Sequence, residues 1–145
     1  VTNKGYYSYI NNVKGVWYNN TRGQWAIFNQ NLGNISVGIS FNVTVLATDS
    51  AFFVQTATAG NTTDNSTFID HPLTNNKPNT IVLVTPNWNP GGISGSYNDH
   101  PIGVWYSLND QKWTIRNETV ISIPEGASFN VIVMSHMVYL PLVMR

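Results

Sequence analysis

The chain has 145 residues, which suits one β-rich domain or two small ones with a buried core. Only 10% of its residues are charged, and seven basic residues balance seven acidic ones. A neutral surface does not attract phosphate over long distances, so we expect neither a nucleic-acid partner nor binding to an anionic membrane. There is no cysteine, and no hydrophobic run approaches the ~20 residues that span a bilayer.

The first predicted elements are two strands, 15–18 and 24–28, in which aromatic and β-branched residues flank a polar turn. The Gly-Val-Trp-Tyr of residues 15–18 returns 88 positions later at 103–106. The register then holds without a gap as far as Phe-Asn-Val, which occurs at 41–43 and again at 129–131. Self-similarity at one fixed offset predicts an internal duplication.

Further strands are predicted at 41–46, 51–57, 80–85 and 129–134. The runs at 51–57 and 80–85 are continuously apolar or β-branched, which predicts strands that are covered on both faces. No segment has the periodicity of an amphipathic helix, and the spacing of turns indicates nine or ten short strands. The predicted fold class is therefore all-β, an antiparallel β-sandwich with an internal duplication at offset 88.

The duplication divides the chain into three parts. Residues 1–50 are predicted to form a partial first repeat unit, and 51–136 a complete second unit packed with the first as one domain. Because the first unit lacks the leading strands of the second, its sheet edges need cover from the second unit or from a neighbouring subunit. Residues 137–145 form an apolar tail, expected either to close its own sandwich as an edge strand or to pair with a neighbour. The tail residues predicted to take part in assembly are Val138, Tyr139, Leu140, Leu142 and Val143.

Four motifs in the second unit together carry a resemblance to a known family. They are Asp-His-Pro at 70–72, Thr-Pro-Asn-Trp-Asn-Pro-Gly-Gly at 85–92, Asp-His-Pro-Ile-Gly-Val-Trp-Tyr at 99–106 and Phe-Asn-Val at 129–131. In these motifs the chain resembles a repeat family of uncharacterised domains in exported bacterial proteins. The resemblance implies a β fold and a secreted, extracellular or cell-surface location, and it implies no activity.

The two Asp-His-Pro triplets, 70–72 and 99–101, are the best candidates for a metal or catalytic site, because imidazole and carboxylate groups bind zinc-like ions. Turn formation is the competing interpretation, since Asp and Pro begin turns and the first unit has Asn-Asn-Val at 11–13 instead. A serine nucleophile elbow at 92–96 fails, because Ser96 stands where the motif requires glycine. We therefore predict no enzymatic activity, no cofactor and no metal.

Two functions from different classes fit the chain. The first is an exported structural subunit that assembles with itself into a filament, a pilus-like structure or a layer. The second is a carbohydrate-binding or adhesion module that uses aromatic side chains in loops. Four of the five tryptophans lie on the repeated strands, where we expect them to form core, whereas Trp88 lies in a turn and is predicted to be exposed. The ligand-binding residues predicted for the second function are Trp88, Tyr97, Asp99 and His100.

Twenty asparagines supply much of the polarity of the chain, and six of them begin Asn-x-Ser/Thr sequons. Asn61 and Asn65 lie in the most loop-like segment, so they are the predicted glycosylation sites. Asn42 lies in a predicted strand and is a poorer candidate.

Overall fold

A computed structural model describes residues 11–46 and 51–134 of the chain. These residues form nine β-strands and one short 3-10 turn, and contain no α-helix and therefore none that could cross a membrane. The predicted assembly residues of the 137–145 tail lie outside the described residues, and the division into units 1–50 and 51–136 stays a prediction. The strands are β1 Lys14–Asn19, β2 Gln24–Asn29, β3 Phe52–Thr56, β4 Thr62–Thr63, β5 Ser66–Phe68, β6 Ile81–Pro86, β7 Ile102–Ser107, β8 Lys112–Asn117 and β9 Ser128–Met134.

The strands form three sheets, the hairpin β1–β2, the three-stranded sheet β3–β9–β6 and the four-stranded sheet β4–β5–β8–β7. Every ladder is antiparallel, which confirms the predicted class, and one parallel bridge joins Val16 to Asn87. The two larger sheets are connected across the interior, where Gln55 of β3 donates to the Thr67 hydroxyl and the Phe68 carbonyl of β5. The arrangement is sandwich-like.

The core between the larger sheets is mainly aliphatic, and Phe129 is its one aromatic ring among the fully buried side chains described. Twelve polar residues are buried among the described residues, against nine hydrophobic ones. Because a buried amide is costly unless it is hydrogen-bonded, these side chains must pair with specific partners. Five of the twenty asparagines therefore serve the interior, namely Asn29, Asn87, Asn89, Asn98 and Asn117.

The prediction that four tryptophans form core holds only for Trp113, which packs against the core cluster from a half-buried position. Trp25 and Trp105 are 59% and 45% exposed, and Trp17 and Trp113 are only half-buried. Trp25 and Trp113 each pack against a tyrosine across the hairpin, whereas Trp17 packs against Trp88. A tyrosine on the first strand stands opposite a tryptophan on the second, with ring centroids 5.5 Å apart in β1–β2 and 5.7 Å apart in β7–β8. Cross-strand aromatic pairs of this kind stabilise a hairpin locally, which removes the need to bury the rings in the core.

The hairpins β1–β2 and β7–β8 agree residue for residue at offset 88, with the same bounds and the same register. Each ends at a buried asparagine, Asn29 or Asn117. Asn29 Nδ2 donates to the carbonyls four and five places ahead at 2.8 and 3.1 Å, and Asn117 Nδ2 does the same at 3.0 and 3.5 Å. Each is followed by a turn whose glycine has positive φ, 89° at Gly38 and 84° at Gly126. These shared interactions explain why the repeat retains Asn and Gly, while duplication as their origin stays a prediction.

The two halves differ after that turn. Residues 128–134 form β9, the central strand of its sheet, whereas 41–46 form no strand with any described residue. The prediction of a strand at 41–46 is therefore wrong for the described chain. β9 is held between β3 and β6, whereas 41–46 has no such neighbours among the described residues. A strand sequence without a ladder partner gains no hydrogen bonds by becoming extended.

The prediction that the apolar runs of β3 and β6 are covered on both faces is also wrong for the described residues. One face of the β3–β9–β6 sheet forms the core, and the opposite face carries exposed hydrophobic side chains between 41% and 53% accessible. We call this opposite face the outer face. Its exposed hydrophobic members are Phe52, Val54, Ile81, Leu83 and Met134.

Gly23 and Gln111 occupy equivalent places in the two hairpin turns, and both have positive φ, 64° and 54°. Because a Cβ is strained in this region, Gln111→Gly is expected to raise the free energy of unfolding by about 1 kcal/mol. Gly23→Gln is the matched reverse exchange and is expected to lower it by about the same amount. Urea denaturation of both variants measures the change, and effects of equal sign would contradict the strained-turn argument.

Candidate functional site

A cleft of about 530 Å³ opens where the β1–β2 hairpin meets the turn that follows β6. One wall is β1 together with its turn, and the other is the segment 88–94. The cleft is open to solvent, and its size lies within the range of about 300–1,000 Å³ typical of small-ligand sites. Its lining residues are Trp17, Tyr18, Asn19, Asn20, Thr21, Arg22, Trp88, Asn89, Gly92, Ile93 and Ser94.

The two walls are joined through the backbone of β1. The Trp88 N–H donates to the Val16 carbonyl at 2.9 Å. Tyr18, two residues after Val16 in β1, pairs with the Asn89 side chain. Asn89 Nδ2 donates to the Tyr18 carbonyl at 2.8 Å, and Asn89 Oδ1 accepts from the Tyr18 N–H at 2.7 Å. Asn89 is only 3% exposed. The Asn89 amide thus provides the backbone N–H and C=O of Tyr18 with the hydrogen bonds that a neighbouring strand would provide.

Asn87 connects this joint to the centre of the fold. Its backbone N–H donates to the Ser128 carbonyl at 2.8 Å, and its Nδ2 donates to Asn130 Oδ1 at 2.8 Å. Its own Oδ1 accepts from the Asn89 N–H at 3.3 Å. A continuous series of buried amides therefore runs from β9 through Asn87 and Asn89 to Tyr18.

Trp88 packs between aromatic rings from two directions. It stacks on Tyr97, with centroids 5.5 Å apart and 22° between the planes, and it meets the ring of Trp17 edge-on at 6.3 Å. Tyr97 in turn packs against Phe28 of β2 at 6.0 Å. Trp88 is therefore half-buried rather than fully exposed, and the difference from the prediction arises because Tyr97 covers one face of its ring.

Of the four predicted ligand-binding residues, the structure brings Trp88 and Tyr97 into contact. Asp99 is exposed and His100 is partly exposed, and neither lines the cleft. The role of all four in binding stays a prediction. The sequence analysis missed the contribution of β1 to this site because it assigned Trp17 to the core. The available signal for this contribution was a difference between the two hairpin turns, in which Arg22 of the first corresponds to Asp110 of the second.

The triplet at 70–72 forms a turn. The N–H groups of Thr74 and Asn75 both donate to the His71 carbonyl at 2.9 Å, and the Leu73 N–H donates to His71 Nδ1 at 3.2 Å. The His71 ring stacks on the Phe53 ring at 4.0 Å. These contacts are the turn chemistry that competed with the metal interpretation. Within 11–46 and 51–134, no group of three or more His, Asp or Glu side chains could hold a metal ion.

Asp70 forms a salt bridge with Lys112, with 2.7 Å between Oδ2 and Nζ. The hydrogen bond from Lys112 lowers the pKa of Asp70 below its ordinary value, and a hydrogen bond from Asn75 and the charge of Lys112 add to this effect. The carboxylate is exposed to solvent, so the pair is a surface interaction of modest strength.

The two predicted glycosylation sites both use their amide nitrogens in the fold. Asn61 Nδ2 donates to the Thr56 carbonyl at 2.9 Å, and Asn65 Nδ2 donates to the carbonyls of Asn117 and Thr119 at 2.9 and 3.1 Å. A glycan replaces one hydrogen of Nδ2, so attachment at Asn65 would remove one of its two bonds. Glycosylation at Asn61 and Asn65 stays a prediction.

Comparison with known protein families matches residues 15–133 to a family described as a domain of unknown function, DUF7452. The match spans most of the chain, and the chain therefore belongs to the DUF7452 family. This confirms that it comes from an uncharacterised domain family. No curated protein and no solved structure matches it.

Asn89→Ala removes both bonds to Tyr18 and leaves a backbone donor and acceptor without these partners. We expect the opening free energy of the β1–β2 hairpin to fall by about 2–3 kcal/mol. Hydrogen exchange measures this, with faster exchange at Tyr18 and little change in β8. Asn109→Ala, at an exposed turn position, is the matched control, and unchanged protection at Tyr18 would contradict the proposed joint.

Lys112→Met is expected to raise the pKa of Asp70 towards its ordinary value of about 3.9. Because the folded-state pKa lies below the unfolded one, the pair stabilises the fold above the unfolded pKa and loses this effect as pH falls through the folded pKa. An NMR titration of the Asp70 carboxyl measures the shift. Lys77→Met is the control, since Lys77 donates to the Pro72 carbonyl. An equal pKa in the Lys112 variant and the unaltered protein would contradict the assignment.

Proposed function

We propose that this member of the DUF7452 family is a non-enzymatic structural subunit that assembles with copies of itself outside the cell. In the assembly, residues 40–46 of one copy add as a strand to the next copy's β3, at the edge that has no ladder partner among the described residues (the free edge). Because donor and acceptor are different surfaces, the contact is head-to-tail and produces a filament. The observation that carries the proposal is the exposed segment 40–46, which repeats the sequence of β9 and has no ladder partner among the described residues.

The donor segment repeats the sequence of the strand at the centre of the fold. Phe129 and Val131 of β9 are fully buried, whereas their counterparts Phe41 and Val43 are 38% and 68% exposed. Removing such side chains from water is favourable by about 25 cal/mol per Å² of apolar surface. Segment 40–46 therefore carries exposed apolar side chains that would gain by pairing.

The acceptor is the edge of β3 that points away from β9. The Ala51 carbonyl accepts from Val133 and the Ala57 N–H donates to Ala127, so the residues in register with these face β9. In an antiparallel ladder the alternate residues, which include Val54, direct their N–H and C=O groups to the other edge. One group at the end of this edge is already used, because the Thr56 carbonyl accepts from Asn61 Nδ2 at 2.9 Å. The comparable edge of β6 is likewise used just beyond its end, where the Trp88 N–H donates to the Val16 carbonyl of β1.

The outer face and the charge balance favour association with another copy. No member of the outer face is charged, so two copies do not repel each other there, and the neutral chain is poorly protected against self-association. An added strand would extend the β3–β9–β6 sheet and cover part of its exposed hydrophobic surface. The tail residues of 137–145 would provide a second contact.

The location outside the cell is supported by sequence features. The motifs at 70–72, 85–92 and 99–106 resemble those of exported bacterial domains, and the surface is rich in uncharged amides and hydroxyls, as in many extracellular β proteins. A carbohydrate-binding or adhesion role is compatible with assembly, since surface assemblies also adhere.

Val54→Pro should abolish assembly while the fold is retained, because proline removes an N–H on the free edge and is tolerated on edge strands. Val43→Pro should do the same from the donor side. Val37→Pro is the matched control, just before segment 40–46. Val37 is the second residue of a turn in which the Ile39 N–H donates to the Ser36 carbonyl, and proline is favoured at that position.

Light scattering over a range of concentrations, together with electron micrographs, measures the assembly, and circular dichroism checks the fold. We expect filaments from the unaltered protein and from Val37→Pro. A monomer at all concentrations for the unaltered protein, or undiminished filaments for folded Val54→Pro, would overturn the proposal.

A further inference from the structure

We infer that the cleft between β1 and the segment 88–94 binds a short carbohydrate that carries a carboxylate group. This inference is separate from assembly, because it uses neither the donor segment nor the edge of β3.

The aromatic walls suit the apolar faces of sugar rings. Trp17 and Trp88 lie edge-to-face, and both contribute to the lining together with Tyr18. Stacking on one side of Trp88 fixes its ring against Tyr97, so the ring is held in place before a ligand arrives. A preformed aromatic wall loses little conformational entropy on binding.

The remaining walls offer polar groups suited to hydroxyl groups. Asn20 Nδ2 donates to the Gly92 carbonyl at 2.7 Å, which holds its side chain across the cleft. Its Oδ1, and the Ser94 hydroxyl opposite, have no hydrogen-bond partner among the described residues. Amide and hydroxyl groups placed beside aromatic rings are the usual combination for orienting a small polar ligand.

The charge of the cleft selects among carbohydrates. Arg22 is its one charged lining residue, and it lies exposed in the β1–β2 turn. Its guanidinium forms no salt bridge with any described carboxylate. Arginine pairs with carboxylates through two parallel hydrogen bonds, so a sugar acid gains an interaction that a neutral sugar lacks.

The second hairpin retains the aromatic framework without this polar chemistry. Trp105 is the counterpart of Trp17, but Leu108 replaces Asn20 and Asp110 replaces Arg22. Trp105 is 45% exposed and does not line the cleft. The two copies thus share what folds the hairpin and differ at the residues that would contact a ligand. The second hairpin is therefore an internal control.

The test is an NMR titration of the full chain, with Val54→Pro introduced to keep it monomeric, against a trimer of galacturonic acid and, separately, against its neutral counterpart, a trimer of galactose. We expect the acidic trimer to shift the indole N–H signals of Trp17 and Trp88 and to leave that of Trp105 unchanged. Arg22→Gln should weaken binding of the acidic trimer by about tenfold and leave binding of the neutral trimer unaltered.

Trp17→Ala should remove binding, and Trp105→Ala should retain it. Arg22→Gln alters an exposed turn residue, so its result does not depend on whether the tryptophan variants fold. Three results would each overturn the inference. These are the absence of shifts with the acidic trimer at about 5 mM, equal shifts at Trp105, and an Arg22→Gln variant with undiminished affinity for the acidic trimer.

Discussion

The structure depends on the paired hydrogen bonds between the Asn89 side chain and the backbone of Tyr18. The β1–β2 hairpin has no ladder with either larger sheet among the described residues. The Asn89 amide provides two buried bonds to it, and the parallel bridge at Val16, the Asn20–Gly92 bond and the ring contacts of Trp17 and Phe28 add to this joint. An isolated two-stranded hairpin is marginal in water, so its persistence requires such a joint. The same joint creates the cleft, because it holds Trp17 beside Trp88.

Buried amides give the fold its directionality. A hydrophobic contact tolerates many orientations, whereas a buried asparagine is satisfied only when its donors and its acceptor each meet a partner. The amides at 87, 89 and 117 connect β9 to the cleft, β6 to β1, and the end of a hairpin to its following turn. In a chain with few charges, these groups specify which segments meet, since salt bridges are too few to do so.

The two copies show how one sequence pattern acts in two surroundings. Both hairpins form with the same register because each strand's partner is the next strand along the chain. The strand that follows each hairpin depends on more distant partners, so it becomes β9 in one copy and lies exposed at 41–46 in the other. The donor segment 40–46 and the β1 wall of the cleft both lie in the first of the two similar segments, whose surroundings differ from those of the second.

The all-β class, the two hairpins, their offset and the glycine turns that follow them are predictable from the sequence, because these features rest on contacts between residues close along the chain. The sequence did not determine the covering of β3 and β6, the exposure of Trp25 and Trp105, or the half-burial of Trp88. Each of these features depends on which distant segment of the chain packs against the residue concerned. The alternation of apolar and polar residues in one strand does not predict which segment that is. The cleft likewise exists only in the tertiary structure, where Asn89 brings together walls that are about seventy residues apart in the chain.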